Sequence, residues 1–267
     1  AAARRCQDLG NVQLVEGGLE ALPLDNQYLD LALCSLVAIE AARKAASSIP
    51  TDAWRDVSLL HQFLVTPLFA YTRFGEWDLV LNEPRPPEDS LFWTGVWYYA
   101  RGLAYTATGK LDEATRELNR LREIAGYDSL EDYRVTFSRN GAKAILDLAA
   151  VVLAGELSAK RGDYDIAIAR LHRGVLLEDN LIYNEPPDWH VPVRQSLGAV
   201  LLGAGRAAEA EAIYWQDLER NRENGWSLFG LMQSLRAQGK EEQAAAVEKR
   251  FRKAWKRSDV TLTASRF

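Results

Sequence analysis

Apolar residues recur every three to four positions over long stretches of this chain, and short breaks rich in glycine, proline and charge separate those stretches. That spacing predicts amphipathic helices. No run alternates apolar and polar residues between hairpin turns, so strands are not expected. Glycines and prolines fall at the predicted helix ends and at two elbows.

Four glycines set the larger pattern: Gly109, Gly162, Gly205 and Gly239 each close an apolar helical run. Five residues after each stands Ala114, Ala167, Ala210 or Ala244, and four further on come Leu118, Leu171, Tyr214 and Glu248. Seven residues before the first three stand Gly102, Gly155 and Gly198, with Met232 at the fourth place. This is the pattern of a helical hairpin. A glycine ends the first helix in a left-handed conformation, small residues let the helix backbones approach, and larger apolar residues fill the seam with the next hairpin. One such hairpin cannot bury its apolar face alone, so several must stack.

The glycines are 53, 43 and 34 residues apart, and Gly75 precedes Gly109 by 34 as well. Thirty-four is the tetratricopeptide period. The two longer gaps then read as single repeats with insertions of 19 and 9 residues, near 126–140 and 180–192. The expected units lie near 27–48, 58–84, 94–126, 146–180, 192–222 and 225–255. A helical lead-in covers 1–23, and a tail covers 256–267.

The segments Gly102–Ala114 and Gly198–Ala210 resemble the tetratricopeptide consensus. A narrower resemblance runs over about residues 24–267. It rests on Gln62–Phe69, Phe74–Asp78, Glu185–Trp189, Pro192–Ala199, Asn224–Gly230 and Asp259–Phe267. These look like the C-terminal part of large tetratricopeptide proteins, mostly bacterial. The resemblance implies an all-α, right-handed α-solenoid of five to six hairpins in a single domain. Longer members resemble exported or periplasmic proteins with His-rich N-terminal halves, which this chain lacks. The start, Ala1–Arg5, reads as the interior of a longer precursor or as a processed end, without the apolar core of a signal peptide.

Composition changes this picture little. Apolar residues make up 48% and charged residues 26% of 267 positions, ordinary for a water-soluble protein. The net charge of −5, with no basic stripe, argues against nucleic acid as a partner. No apolar run is long enough to span a membrane. Cys6 and Cys34 form no CxxC, and His61, His172 and His190 lie far apart, so no metal site and no cofactor are expected. A Cys6–Cys34 disulfide is conceivable, but Cys34 sits in an apolar run where a buried thiol is the simpler reading. His172 is expected on a second helix, at the surface or in a seam. The chain has no GxSxG, no phosphate loop and no GxGxxG, so no catalytic residues are assigned.

Three groups of residues are candidates for binding. The proline-stiffened insertion carries Glu185, Asp188, Trp189, His190 and Arg194 within ten residues, groups suited to gripping a polar ligand. The same residues also make an elbow, with prolines stopping one helix, Asp188 capping the next and Trp189 packed over the joint. Aromatics cluster at Trp93 and Tyr99, and again at Trp226 and Phe229. They could dock a peptide or ring-bearing ligand in a concave groove, or simply pack the core. Arg73, Arg101, Arg194 and Arg236 each fall on a predicted first helix and could hold a carboxylate or phosphate. The Lys/Asn arrangement of chaperone-tail-binding tetratricopeptide domains is missing, since Tyr99, Gln195, Ser196 and Phe229 stand at those positions.

Two functions follow as expectations. The first is a non-catalytic scaffold for a protein partner. The alternative is a small-ligand-binding or accessory module of an exported enzyme.

Overall fold

The computed structural model describes residues 35–50, 52–135 and 140–267. Cys6, Cys34 and the lead-in over 1–23 lie outside them, as does the part of the opening unit before Ser35. The described residues form α-helices and two short 3-10 turns, with no strand among them. The helices are α1 (Ser35–Ser47), α2 (Ala53–Asp56), α3 (His61–Phe74), α4 (Trp77–Asn82), α5 (Leu91–Ala107) and α6 (Leu111–Ala125). There follow α7 (Ala142–Arg161), α8 (Tyr164–Asp179), α9 (Val193–Gly203), α10 (Ala207–Arg220), α11 (Gly225–Ala237) and α12 (Glu241–Ala254).

From α3 onward the helices pair in sequence, and a glycine joins each pair. Gly75, Gly109, Gly162, Gly205 and Gly239 all have φ between 72 and 87°. The residue after each glycine donates its backbone N–H to the carbonyl five residues earlier. These bonds run Glu76 to Tyr71, Lys110 to Tyr105, Asp163 to Ser158, Arg206 to Leu201 and Lys240 to Leu235, at 2.8–3.0 Å. This closing bond needs a left-handed residue inside it, where a Cβ would be strained. Each second helix then opens with an acid in its first turn, such as Asp112, Asp165, Glu209 or Glu241, which suits the positive end of the helix dipole.

The helices pack by one rule. The first helices α3, α5, α7, α9 and α11 touch one another in that order, and each second helix packs on its own partner and on the next first helix. The small residues sit at these crossings. An added Cβ at Gly102 would lie 2.4 Å from Leu153 of the next first helix. At Gly155 it would lie 2.7 Å from Leu171, and at Gly198 it would lie 2.4 Å from Tyr214. Ala114, Ala167, Ala210 and Ala244 are all buried, and Leu118, Leu171 and Tyr214 fill the seams. Glu248 departs from that series: it pairs with Arg236 and Arg252 at the surface. The long helix α7 is covered on nearly every side and forms the middle of one continuous apolar core.

The two insertions meet each other. Asn140 donates to the Ile182 carbonyl and accepts from the Ile182 N–H, both at 2.9 Å, and also reaches Asp188 at 2.7 Å. The last residues of the sequence run across several of these helices. Ser265 bonds Tyr214 at 2.7 Å and the Gln195 carbonyl at 2.8 Å, Gln233 reaches the Thr263 carbonyl, and Arg266 pairs with Glu156 at 3.0 Å. Asp259 accepts both the N–H and the hydroxyl of Ser35, at 2.8 and 3.0 Å.

Candidate functional site

Four successive first helices, the 180–192 insertion and the last residues of the sequence together surround a cavity of about 540 Å³. That volume lies within the range of small-molecule pockets. Helix α3 contributes Arg73, α5 contributes Tyr99 and Leu103, and α7 contributes Val152 and Glu156. Val200 of α9 lines the same space, as do Trp189 and His190 from the insertion and Arg266 and Phe267 from the tail.

The helical hairpins explain why these residues converge. Successive first helices lie side by side, so residues near the same level of each helix face one space. The insertion is placed by its prolines and by the Asn140 bridge, and it swings Trp189 and His190 over the helix ends. There the rings form a cluster. His190 stacks on Phe69 at 4.2 Å, Trp189 lies 5.3 Å from Tyr99, and Trp189 and His190 are 5.0 Å apart.

Polar atoms buried behind this wall are incompletely paired. Trp189 is buried, yet its Nε1 has no hydrogen-bond partner, and neither ring nitrogen of His190 has one. Burial, reinforced by the nearby Arg73 charge, pulls the His190 imidazole down to about 3, so it is neutral at pH 7. Arg73 donates to Gln195 Oε1 at 2.8 Å and lies 3.9 Å over the Trp226 ring, with no carboxylate at ion-pair distance among the described residues. Burial pulls the Arg73 guanidinium down to about 9, only partly offset by Asp217. Burial also pushes the Tyr99 hydroxyl above its ordinary value, with the Glu156 charge adding to it. Glu156 itself is buried and held by Arg266.

The sequence candidates separate into those on the cavity and those elsewhere. Tyr99, Trp189 and His190 line the cavity. Trp226 is buried just behind Arg73, with its ring 5.3 Å from Phe267. The expected cluster within the insertion does not form as one grip. Glu185 is exposed and accepts a bond from the Tyr183 hydroxyl at 2.5 Å. Asp188 accepts from Asn140 and from Asn184, which holds the loop in shape. Arg194 turns the other way, because helix α9 carries it toward the end of α8. There it forms a two-pronged bond to Asp179 at 2.8 and 2.7 Å. Trp93 is partly buried against the core, and Phe229 packs on Phe251 at 5.3 Å, both away from the cavity. Arg101 is used up by Glu117, Tyr105 and the Leu81 carbonyl, over the face of Trp97.

Glu156, Arg266 and Phe267 line the cavity but were not among the site candidates. Glu156 is a lone acid in an otherwise apolar stretch of α7, a signal that was legible. Arg266 and Phe267 carried no signal of their own, because a short polar tail gives no periodicity to read.

The remaining histidines are structural or exposed. His61 is fully buried and bridges the Ser58 carbonyl and the Ser90 hydroxyl. His172 is exposed on α8. Among the described residues no cluster of His, Cys, Asp and Glu could hold a metal, and no helix is long and apolar enough to cross a membrane. Comparison with protein-family models, with curated proteins and with solved structures yields no match.

Proposed function

We propose that this chain is a non-catalytic binding module on a tetratricopeptide-like, right-handed α-solenoid, and that it holds a small ligand in the cavity on the concave side. The reading rests on one observation: a cavity of about 540 Å³ between four first helices, the insertion and the tail, lined by Arg73 and by an apolar wall of Leu103, Val152, Val193 and Val200. A concave, largely apolar space of that size with a few polar groups is the usual form of a small-molecule site. Between the two functions expected from sequence, this observation favours the small-ligand alternative. A peptide partner on the concave side would have to displace the chain's own residues 259–267, which are held there by Ser265, Arg266 and Gln233.

A protein partner keeps one observation in its favour. Ile182 and Tyr183 of the insertion are exposed, at 45% and 80%, beside Glu185, and a scaffold contact could form there.

Native mass spectrometry of the protein purified from its source tests the first reading. A bound species of small-molecule mass, lost on denaturation, is the expected result. A protein that is consistently bare, together with no change in melting temperature across a broad metabolite panel, would refute it.

A further inference from the structure

On the opposite face of α7 from the cavity lies a second hollow, of about 470 Å³, bounded by α6 and α8. The two spaces share no residue: Lys143, Asp147, Ala150 and Ala154 stand on the far side of the helix from Val152 and Glu156. Four cations line this hollow. Arg122 comes from α6, Lys143 from α7, and Arg170 and Arg173 from α8, while the only carboxylate lining it is Asp147. Lys143 takes that carboxylate at 3.1 Å and donates to the Ala125 carbonyl at 2.9 Å, which ties α7 to α6. Arg170 ties α8 to α7 through the Ala154 carbonyl at 3.1 Å and the Ser158 hydroxyl. Arg122 and Arg173 are exposed, and neither forms an ion pair or a hydrogen bond among the described residues. Elsewhere Arg101, Arg194, Arg206, Arg236 and Arg250 each face a carboxylate. Here three guanidiniums gather without one, in a chain of net charge −5. Partial burial, joined by the Arg170 charge, pulls the Arg122 guanidinium below its ordinary value. Like charges held together in this way repel, and an anion between them removes that cost.

We infer that this hollow binds a small phosphate monoester, whose phosphate meets Arg122, Arg170 and Arg173 and whose body rests on Ala150, Val151 and Leu177. The site is separate from the Arg73 cavity and does not depend on the ligand reading given for it. A phosphate monoester carries a charge of about −1.5 to −2 at pH 7 and three strong acceptor oxygens. Those oxygens point in different directions, so guanidiniums from α6 and α8 can each reach one, and such charge-assisted bonds are the strong ones. Arg170 is already steered by its bonds to α7, and its remaining N–H groups are unspent. A monocarboxylate has one charge and two oxygens in one plane, which satisfies one guanidinium fork and leaves the others facing each other. An extended polyanion draws its affinity from a long run of cations. In this acidic chain the unpaired guanidiniums gather in one hollow, whose volume is that of a small-molecule site.

Isothermal titration calorimetry on the full chain, at low salt and about pH 7.5, tests this with named probes, because a phosphate monoester is then a dianion. Phenyl phosphate and adenosine monophosphate are the monoesters. Phenyl sulfate and benzoate are monoanions of similar body. At least one monoester should bind at least about tenfold more tightly than either monoanion. Arg122→Gln and Arg173→Gln should each weaken that binding by about fivefold or more. Neither side chain holds the fold together, so the melting temperature of each variant without ligand should be unchanged or raised. The two substitutions lie on different helices, and a folding fault in one leaves the other as the test. Equal affinity for monoester and monoanion overturns the assignment, as does undiminished binding in the variants or no binding of either monoester. A phosphoserine tripeptide and a single-stranded oligonucleotide present the same group on a longer chain. Tighter binding of either than of the better monoester overturns the small-molecule source.

Discussion

Replacing His190 by phenylalanine should change how stability depends on pH, in a direction the structure dictates. The folded protein holds the imidazole near 3, by burial and by the Arg73 charge, whereas the unfolded chain protonates it near 6.5. Above about pH 6.5 both states are neutral there and the histidine costs nothing. As the pH falls, the unfolded state takes up a proton that the folded state refuses, so the native protein loses stability until about pH 3. The gap of roughly 3.5 units sets a ceiling of about 5 kcal/mol, and the slope is about 1.4 kcal/mol per pH unit. Glu178 works against it. Burial holds its carboxyl up to about 7, so the folded state keeps a proton that the unfolded state releases above about 4.5. Acidification from pH 7 therefore relieves Glu178 while it penalises His190, and the profile of the native protein alone is partly cancelled. The difference between the native protein and His190→Phe isolates the histidine, because Glu178 is common to both. Phenylalanine retains the stack on Phe69 and never charges. Urea unfolding should show the variant gaining about 2 kcal/mol on the native protein between about pH 6.5 and pH 5. A difference that is flat across that range would refute the placement of a buried, uncharged imidazole at this site.

Three further perturbations test the packing and the division of the insertion. Gly230→Ala would put a Cβ 2.2 Å from the Tyr214 ring, which is already wedged against Gly198, and thermal unfolding should report a loss of about 1–3 kcal/mol. Arg194→Ala should lower stability by about 1–3 kcal/mol by breaking the paired bond to Asp179, while ligand affinity measured by calorimetry stays unchanged, since Arg194 faces away from the cavity. Ala210→Trp, at a fully buried crossing, should lower the melting temperature strongly, whereas Lys240→Trp at the exposed turn should be nearly neutral; equal values would show that the repeat register is wrong.

The helices and their order were legible because each rests on local rules. Gly109, Gly162, Gly205 and Gly239 announce themselves by the left-handed turn they permit, and the alanines five residues later by the crossing they must fit. The candidate site was legible only in part. Trp189, His190 and Tyr99 were singled out by residue type, and they do share one space. Glu185, Asp188 and Arg194 were grouped with them only because they are close in sequence. A helix that starts at Val193 turns Arg194 toward Asp179, and closeness along a chain does not encode that rotation. Arg73 was noted as one arginine among four. What distinguishes it is that Arg101, Arg194 and Arg236 find carboxylates and it does not, a fact of tertiary placement. The tail was the least readable element, because its hold depends on Gln195, Tyr214 and Glu156, each distant in sequence.

The Ser35–Asp259 bonds join residues 224 positions apart. An array of stacked hairpins would ordinarily behave as a one-dimensional lattice, with each unit sensing its neighbours and the outermost units free to fray first. Here the tail also lays Phe267 against Gly75 and Trp226, and Arg73 reaches from the second described helical unit to α9 and α11. The contact graph therefore closes into a ring in which no described unit is terminal. Opening any one junction then strains the others, so the usual route of melting inward from an end is blocked. Hydrogen exchange should consequently show α3 and α11 protected together, at similar free energies, rather than in a gradient falling toward the ends.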